Sequence, residues 1–184
     1  MAAFLPFTEA IAPLDHVLKP DTARGLPALT KAELEAGIGS NYSTAGARRI
    51  RAVIKFADPD SGSPGESLSR ALIHVAGFEA PILQFNVRTR EGSLGYTDFY
   101  WKEARVVGEF DGVEKYVKTE YLKGRTTAQA VVAEKNRENR IRAAGLQMVR
   151  WDWAALMEPG RLEADLAAAG VPRRPTRSSA RGRQ

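Results

Sequence analysis

The 184-residue sequence contains no cysteine and only two histidines, His16 and His74. The absence of cysteine excludes disulfides, thiolate metal sites and a cysteine nucleophile. Two histidines leave almost no room for a histidine zinc site, and few candidates for a histidine-based hydrolase triad. No apolar run approaches the roughly 20 residues of a membrane helix, and residues 1–15 lack the basic start of a secretory signal. We therefore expect a cytoplasmic protein without a membrane partner.

The positive charge of the chain is concentrated at its C-terminal end. The formal net charge is +5, from 27 basic and 22 acidic residues. Residues 171–184 contain five arginines and no acid, so residues 1–170 carry 22 charges of each sign. Their Pro, Ser and Arg content predicts a disordered tail. Arginines such as Arg173 and Arg174 would bind nucleic-acid phosphates in a salt-dependent way, and the alternative is a solubilising terminus.

Residues 1–62 are predicted to form a helical N-terminal extension or connector. Helical patterns cover 7–19 and 45–56, and the spacing of Thr30 and Glu33 is typical of a capping box that opens a short helix between them. The third helix contains a basic run, Arg48, Arg49, Arg51 and Lys55. Such a run is more often a solvated helix face than a binding site.

Residues 63–170 are predicted to form the folded core. It opens with a helix that Ser63 caps and Pro64 begins. Three strand patterns joined by short turns follow, over 81–89, 96–101 and 105–110. A long helix then leads to a fourth strand and a last helix, over 128–144, 146–153 and 159–168. The short turns predict an antiparallel meander, and the helical crossover predicts a parallel fourth strand. The fold class is therefore α/β, with a mixed four-stranded sheet flanked by helices.

Three acidic residues interrupt strands that are otherwise apolar or aromatic. Asp98 lies inside the second strand, and Glu109 and Asp111 lie at the end of the third. Glu109 and Asp111 share a strand face, roughly 7 Å apart at Cα, because a strand rises about 3.4 Å per residue. The neighbouring strand can place Asp98 beside them. Three converging carboxylates repel one another unless a cation neutralises them, and oxygen-only ligands indicate Mg²⁺ or Mn²⁺.

Basic residues complete the predicted site. Lys115 follows Asp111 by four residues with a glycine between them, so the chain can turn back and Lys115 can orient a water or stabilise negative charge. Arg137 interrupts an otherwise apolar stripe on the long helix. A charged side chain facing the sheet needs a partner, which is either the acidic cluster or a substrate phosphate. Glu134 and Lys135 lie at the edge of this site.

Each of these residues also fits a purely structural role. Glu66 fits a capping acid at the start of its helix, and its spacing alone favours that role. Asp98 fits a surface residue of an edge strand, and Asp111 with Gly112 fits the start of a turn. Glu134 and Arg137 fit an ion pair on a helix surface. The complete set, on this order of elements, favours a functional site.

Six short motifs follow one another between Ser63 and Leu156, half of the chain. They are Ser63–Ser67, Tyr96–Phe99, Val107–Gly112, Lys115–Tyr116, Glu134–Glu138 and Val149–Trp153. Together they resemble the PD-(D/E)XK restriction-endonuclease-like superfamily. More narrowly, the segment is similar to the very-short-patch-repair-like endonuclease domains at the C-terminus of bacterial proteins related to AbiEi-type abortive-infection antitoxins.

The resemblance implies a metal-dependent nuclease site. Asp98 matches the first metal-binding aspartate of the superfamily, and Glu109 matches its second acid. Glu66 matches the helix acid that supports the metal or its water. The implied cofactor is Mg²⁺, or Mn²⁺ in its place, and the implied partner is DNA.

The resemblance also marks where this sequence departs from the superfamily pattern. Asp111 occupies the position of the superfamily's lysine, in the Glu-x-Asp-Gly form typical of the subfamily, so Lys115 becomes the candidate to orient the nucleophile. Glu134 and Arg137 match helix residues that flank the site. The fuller relatives begin with a DNA-binding winged helix, whereas residues 1–58 resemble the segment that connects it to the nuclease-like domain.

Three functions remain open from the sequence. The first is a Mg²⁺-dependent DNA endonuclease in which Asp98, Glu109 and Asp111 hold the metal and Lys115 and Arg137 stabilise charge on the phosphate. The second is a catalytically inactive DNA-binding or regulatory module of a toxin–antitoxin or abortive-infection system. The third is a homodimerisation domain that uses the aromatic strand 96–101.

Overall fold

The computed structural model describes residues 5–39, 42–112 and 126–175. Lys115 therefore lies outside the described residues. The chain divides into two compact units, Met1–Ala71 and Leu72–Gln184. This division falls inside a helix, nine residues after the domain boundary predicted between residues 62 and 63.

Unit 1 is helical. Its helices are α1 (Phe7–Val17), α2 (Lys31–Ala36) and α3 (Thr44–Phe56), and α4 (Pro64–Val75) begins in this unit. The predicted capping box is present at α2, because the Thr30 hydroxyl accepts the Glu33 amide and the Glu33 carboxylate accepts the Thr30 amide. The apolar face of α3 packs in two small cores with α1 and α2. Unit 1 is therefore held by apolar contacts of its own.

A buried ion pair links α1 and α4 within unit 1. Arg70 Nη2 donates to both carboxylate oxygens of Asp15, at 2.7 and 2.8 Å. Arg70 Nη1 donates to the carbonyl oxygen of Phe56 at 2.7 Å, and its guanidinium lies 4.2 Å from the centre of the Phe56 ring. Because both charges are buried, loss of either partner would leave the other uncompensated.

Unit 2 contains the predicted mixed sheet. Its strands are β1 (Ile82–Thr89), β2 (Gly92–Trp101), β3 (Val106–Phe110) and β4 (Gln147–Trp151), in spatial order β1-β2-β3-β4. The pairs β1–β2 and β2–β3 are antiparallel and β3–β4 is parallel. Helix α5 (Thr127–Ala143) precedes β4. The predicted α/β class, meander and parallel fourth strand are confirmed.

Two element boundaries differ from those predicted. β2 begins at Gly92 rather than residue 96, because Gly92 and Gly95 take φ values of +125° and +94° that let the chain continue the strand. β4 ends at Trp151, because Asp152 caps a short helix that the strand prediction did not contain. The last two helices are α6 (Trp153–Met157) and α7 (Arg161–Ala168).

The two faces of the sheet are packed differently. One face has an aliphatic core to which α5 contributes Ile141. The remaining buried members of this core are Val87, Leu94, Val107, Leu146 and Met148. Elsewhere in the sheet Phe99 stacks on Trp151 and Trp101, with ring centres 5.3 and 6.2 Å apart. β2 is an interior strand paired on both edges, so its edges are not free for the proposed dimerisation.

The Arg-rich tail begins inside the folded unit, which corrects the prediction of disorder for residues 171–175. Val171 is buried. Phe78 and Arg173 form an isolated β-bridge, and the Arg174 amide donates to the Gly77 carbonyl at 2.8 Å. Composition predicts disorder poorly here because main-chain pairing does not depend on the side chains. The prediction for residues 176–184 lies outside the described residues.

Candidate functional site

The strand registers bring the predicted acids to one end of the sheet. Phe99 of β2 pairs with Gly108 of β3. In this antiparallel register the next two residues that face each other are Asp98 and Glu109. Glu109 also pairs with Arg150 across β3 and β4. Residues that pair across neighbouring strands project their side chains to the same face of the sheet. The sheet therefore presents Asp98, Glu109 and Arg150 side by side.

Asp98 is fixed by the backbone of the neighbouring strand. Its Oδ2 accepts the amide hydrogen of Phe110 at 2.8 Å. The next amide, of Asp111, donates to the carbonyl oxygen of Trp151 at 2.8 Å. Successive amides of a strand point to opposite sides, so Phe110 donates toward β2 and Asp111 toward β4. Asp98 thus continues the β2–β3 pairing with a side-chain carboxylate.

Glu109 is buried and is held by two arginines. Arg137 Nη2 contacts its Oε1, and Arg150 Nη2 donates to its Oε2 at 2.8 Å. Arg137 comes from α5, where it interrupts the apolar stripe that reaches the buried Ile141. Of the two partners expected for Arg137, the structure shows the acidic cluster, through Glu109. Glu109 is thereby neutralised by charge-assisted hydrogen bonds.

Glu134 and Asp111 extend this arrangement into an ion-pair network. Arg137 donates from Nη2 to Glu134 Oε1 and from Nε to Glu134 Oε2, both at 2.9 Å. Arg150 Nη2 also contacts Glu134 Oε1. On the other side, Arg150 Nη1 lies 3.9 Å from Asp111 Oδ2. The two arginines therefore bridge three carboxylates that come from β3, α5 and the residue after β3.

The network perturbs the pKa values of its members. Burial raises the pKa of Glu109 above its ordinary value, and Arg137 and Arg150 oppose this effect only in part. Burial also acts to raise the pKa of Glu134, but hydrogen bonds and charges from Arg137 and Arg150 outweigh it, so this pKa is lowered. Burial acts to lower the pKa of each arginine, and the carboxylates raise both values despite it. Both guanidinium groups are therefore charged at neutral pH.

The side chains of this cluster have the chemistry of a divalent-cation site but not the grouping of one. Asp98, Glu109, Asp111 and Glu134 are four carboxylates beside two guanidinium groups. Carboxylate oxygens are the ligands that Mg²⁺ and Mn²⁺ prefer. Within residues 5–39, 42–112 and 126–175, no three His, Asp or Glu side chains are grouped as metal ligands. A cation would therefore share the oxygens of Glu109 with Arg137 and Arg150.

The other predicted catalytic and metal-supporting residue, Glu66, belongs to unit 1. Its carboxylate accepts the Gly62 amide at 2.7 Å and the Ser63 hydroxyl at 2.9 Å. The Ser63 hydroxyl in turn accepts the Glu66 amide at 3.3 Å. These contacts match the capping role that its spacing favours. Its predicted role in metal support stays a prediction.

The predicted nucleic-acid-binding residues are spread over unit 2. Arg137 lies in the network, whereas Lys135 is exposed on α5. Arg173 lies 4.4 Å from the centre of the Phe78 ring and pairs with Glu163. Arg174 Nη2 donates to the carbonyl oxygen of His74 at 2.6 Å. Arg173 and Arg174 therefore make intramolecular contacts.

Arg150 of the site and the unusual backbone of Gln84 beside it were not predicted from the sequence. Arg150 sits in an alternating strand, where its charge is typical of a solvated face, and its partner Glu109 is 41 residues away. Gln84 lies on β1 between the pairs Leu83–Phe99 and Phe85–Thr97, which places it opposite Asp98. Its φ of +47° is uncommon for a residue other than glycine. No sequence pattern signals this conformation.

The comparisons with known proteins identify relatives but no family. No family model matches the chain, and no solved structure matches it significantly. Uncharacterized protein MT2308 of Mycobacterium tuberculosis strain CDC 1551 / Oshkosh is 26% identical over 165 residues, covering 86% of this chain and 53% of the relative. Uncharacterized protein Rv2248 of strain ATCC 25618 / H37Rv gives the same values. The chain thus spans about half the length of these relatives.

Within the parts of the chain that the structure describes, every helix is too short or too polar to cross a membrane.

Proposed function

We propose that residues 63–170 form a nuclease-like domain of the PD-(D/E)XK superfamily, similar to very-short-patch-repair endonucleases, which hydrolyses phosphodiester bonds of DNA with Mg²⁺ or Mn²⁺. The observation that supports the proposal is the position of Asp98, Glu109 and Asp111 at one end of the sheet, where Glu109 and Asp111 share Arg150. Carboxylate oxygens are the donors that a hard divalent cation prefers.

The residues of the site would have different roles in the proposed reaction. Asp98, Glu109 and Asp111 would hold the cation, which supplies Lewis-acid activation of water and neutralises phosphate charge. Arg150 contacts both Glu109 and Asp111 and therefore positions two of these acids. Arg137 orients Glu109 and brings positive charge to the same face, where it would stabilise the phosphate. Lys115 would orient the nucleophile, as the resemblance implies.

A second candidate is a catalytically inactive DNA-binding or regulatory module of a toxin–antitoxin or abortive-infection system. The observation that favours it is the engagement of both Glu109 oxygens by arginines. A site of this kind would need no cation, because Arg137 and Arg150 already neutralise the buried acid. The two candidates predict opposite responses to added metal.

The first test is a thermal melt with and without Mn²⁺, on the wild type and on Asp98→Asn. Asparagine keeps an oxygen that can accept the Phe110 amide, so the sheet is preserved while the charge is lost. At a hundredfold excess over Kd, a ligand of the folded state alone stabilises it by about 2.7 kcal/mol. We expect a Mn²⁺ shift that Asp98→Asn loses and the exposed control Asp60→Asn keeps.

The second test is cleavage of plasmid DNA in Mg²⁺. We expect nicking by the wild type and Asp60→Asn, and no nicking by Asp98→Asn or Glu109→Gln. Full cleavage by the two site variants would refute catalysis at this site. DNA binding without a Mn²⁺ shift and without cleavage would favour the regulatory module.

A further inference from the structure

Helix α3 of unit 1 carries a concentrated positive charge that the proposed catalytic site does not use. The whole segment 36–57 contains no acidic residue, although residues 1–71 carry eight basic and eight acidic residues in all. The four cations of α3 are all exposed, namely Arg48, Arg49, Arg51 and Lys55. Unit 1 is therefore neutral as a whole but strongly polarised at α3.

Three of these cations form one continuous stripe, which we call the α3 basic stripe: Arg48, Arg51 and Lys55. Their i, i+3, i+7 spacing places them on one helix face. At 1.5 Å of rise per residue the stripe is about 10 Å long. Lys31 Nζ donates to the carbonyl oxygen of Lys55 at 3.0 Å, which adds a fourth cation at its end. The stripe is thus a line of positive charge.

The face of α3 next to the stripe is already used by the core. Ala47, Ile50, Val53 and Ile54 are buried against α1 and α2. Among the described residues, no carboxylate pairs with Arg48, Arg51 or Lys55. The stripe residues are therefore exposed and, among the described residues, lack the ion pairs that often neutralise a solvated helix face.

We propose that the α3 basic stripe binds the phosphate backbone of duplex DNA. The proposal rests on DNA being the substrate or ligand of the nuclease-like domain, and it adds a second contact surface in unit 1. Charge complementarity favours this partner, because DNA carries one negative charge per roughly 1.7 Å of helix axis. Guanidinium groups match phosphate geometry, and two of the three stripe residues are arginines.

An anionic membrane fits the stripe less well. A helix that lies on a bilayer needs an apolar face to insert beside its basic face. The apolar face of α3 is buried within unit 1. The stripe binds in register along a backbone and supplies no base contacts, so it contributes affinity and salt dependence but no sequence specificity.

The test compares two triple variants of the full chain that lose the same charge. One is Arg48→Ala/Arg51→Ala/Lys55→Ala. The control is Arg88→Ala/Arg90→Ala/Lys102→Ala, whose residues are exposed in unit 2. Alanine favours helix, so α3 should persist, and a circular dichroism melt verifies it. Fluorescence anisotropy with a 20-base-pair duplex gives Kd at several KCl concentrations in EDTA, where no metal-dependent cleavage occurs.

We expect the stripe variant to flatten the slope of log K against log[KCl] by about 2.7, because each lost phosphate contact contributes about 0.9. The control should keep the wild-type slope. Equal loss in both variants, an unchanged slope in the stripe variant, or absence of DNA binding by the wild type would each overturn the proposal. Binding to vesicles with anionic lipid but not to the duplex would also overturn it.

Cleavage separates this inference from the proposed function. A stripe variant that nicks plasmid at saturating DNA but needs more DNA for half the maximal rate supports the stripe and the nuclease together. A wild type that binds through the stripe and never nicks supports the stripe and refutes the nuclease. A wild type that nicks while both triple variants bind DNA alike refutes the stripe alone.

Discussion

Gly108 lies at a crowded point of the sheet, directly before Glu109. A Cβ added to Gly108 would lie 2.6 Å from Cη2 and 2.9 Å from Cζ3 of Trp151, and 3.2 Å from Cζ3 of Trp101. Real Cβ atoms do not approach other heavy atoms within 3.0 Å. Both rings are buried, so neither can move into solvent.

The substitution Gly108→Ala is therefore expected to destabilise the protein. Overpacking of this kind lowers the free energy of unfolding by about 1–3 kcal/mol. Alanine has less backbone entropy than glycine in the unfolded chain, which offsets about 0.5–1 kcal/mol of that loss. The expected net loss is about 1–2 kcal/mol. For a chain of this length, 1 kcal/mol lowers Tm by about 2–4 °C. A thermal melt should therefore show Tm lowered by roughly 2–8 °C.

Two further variants test whether the tryptophan rings cause this loss of stability. Gly37→Ala is the control, because a Cβ there would meet its nearest atom at 3.5 Å, and we expect little change in Tm. Trp151→Phe shortens the ring that clashes, so the double variant Gly108→Ala/Trp151→Phe should lose less stability than the two single variants together. A Gly108→Ala protein that melts at or above the wild-type Tm would show that the tryptophans do not confine this position.

The ion-pair network and the cap at Asp152 give two further predictions. The pKa of Glu134 is lowered below 4.5 by Arg137 and Arg150, so its contribution to stability is present above pH 4.5 and is lost as the pH falls through the folded-state pKa. In urea unfolding at pH 3 to 6, Glu134→Gln should lose less stability on acidification than the wild type, and parallel curves would contradict the lowered pKa. Asp152 Oδ1 accepts the Ala155 amide at 3.0 Å, so Asp152→Ala should cost about 1 kcal/mol in chemical denaturation, whereas Asp152→Asn should cost little. Equal losses in both Asp152 variants would mean that the cap contributes through its charge.

The fold of unit 2 is predictable because its signals are local. Short turns between strand patterns force an antiparallel meander, and the helix over 127–143 forces a parallel fourth strand. The capping box at Thr30 is local as well. The beginning of β2 has no local signal in the sequence. Gly92 and Gly95 are typical of turns, and they become strand residues because β1 pairs with them.

The site is only partly predictable, for the same reason. The acids Asp98, Glu109 and Asp111 stand out because carboxylates are unusual in apolar strands. Arg150 does not stand out, because its position depends on the register between β3 and β4. The backbone conformation of Gln84 depends on the β1–β2 pairing around it. Residues whose position depends on the pairing of distant strands cannot be recognised from the local sequence.

The hydrogen bond from the Phe110 amide to Asp98 makes this exchangeable amide proton sensitive to changes at the Asp98 carboxylate. The amide donates to Oδ2 of Asp98, and this hydrogen bond protects it from exchange. Anything that draws this carboxylate away, whether a proton or a cation, must release the amide or share the oxygen with it. Phe110 is thus a built-in reporter of the site, because the hydrogen-exchange rate and chemical shift of its amide follow the occupancy of Asp98. Those of the Asp111 amide, which donates to Trp151, supply the internal reference.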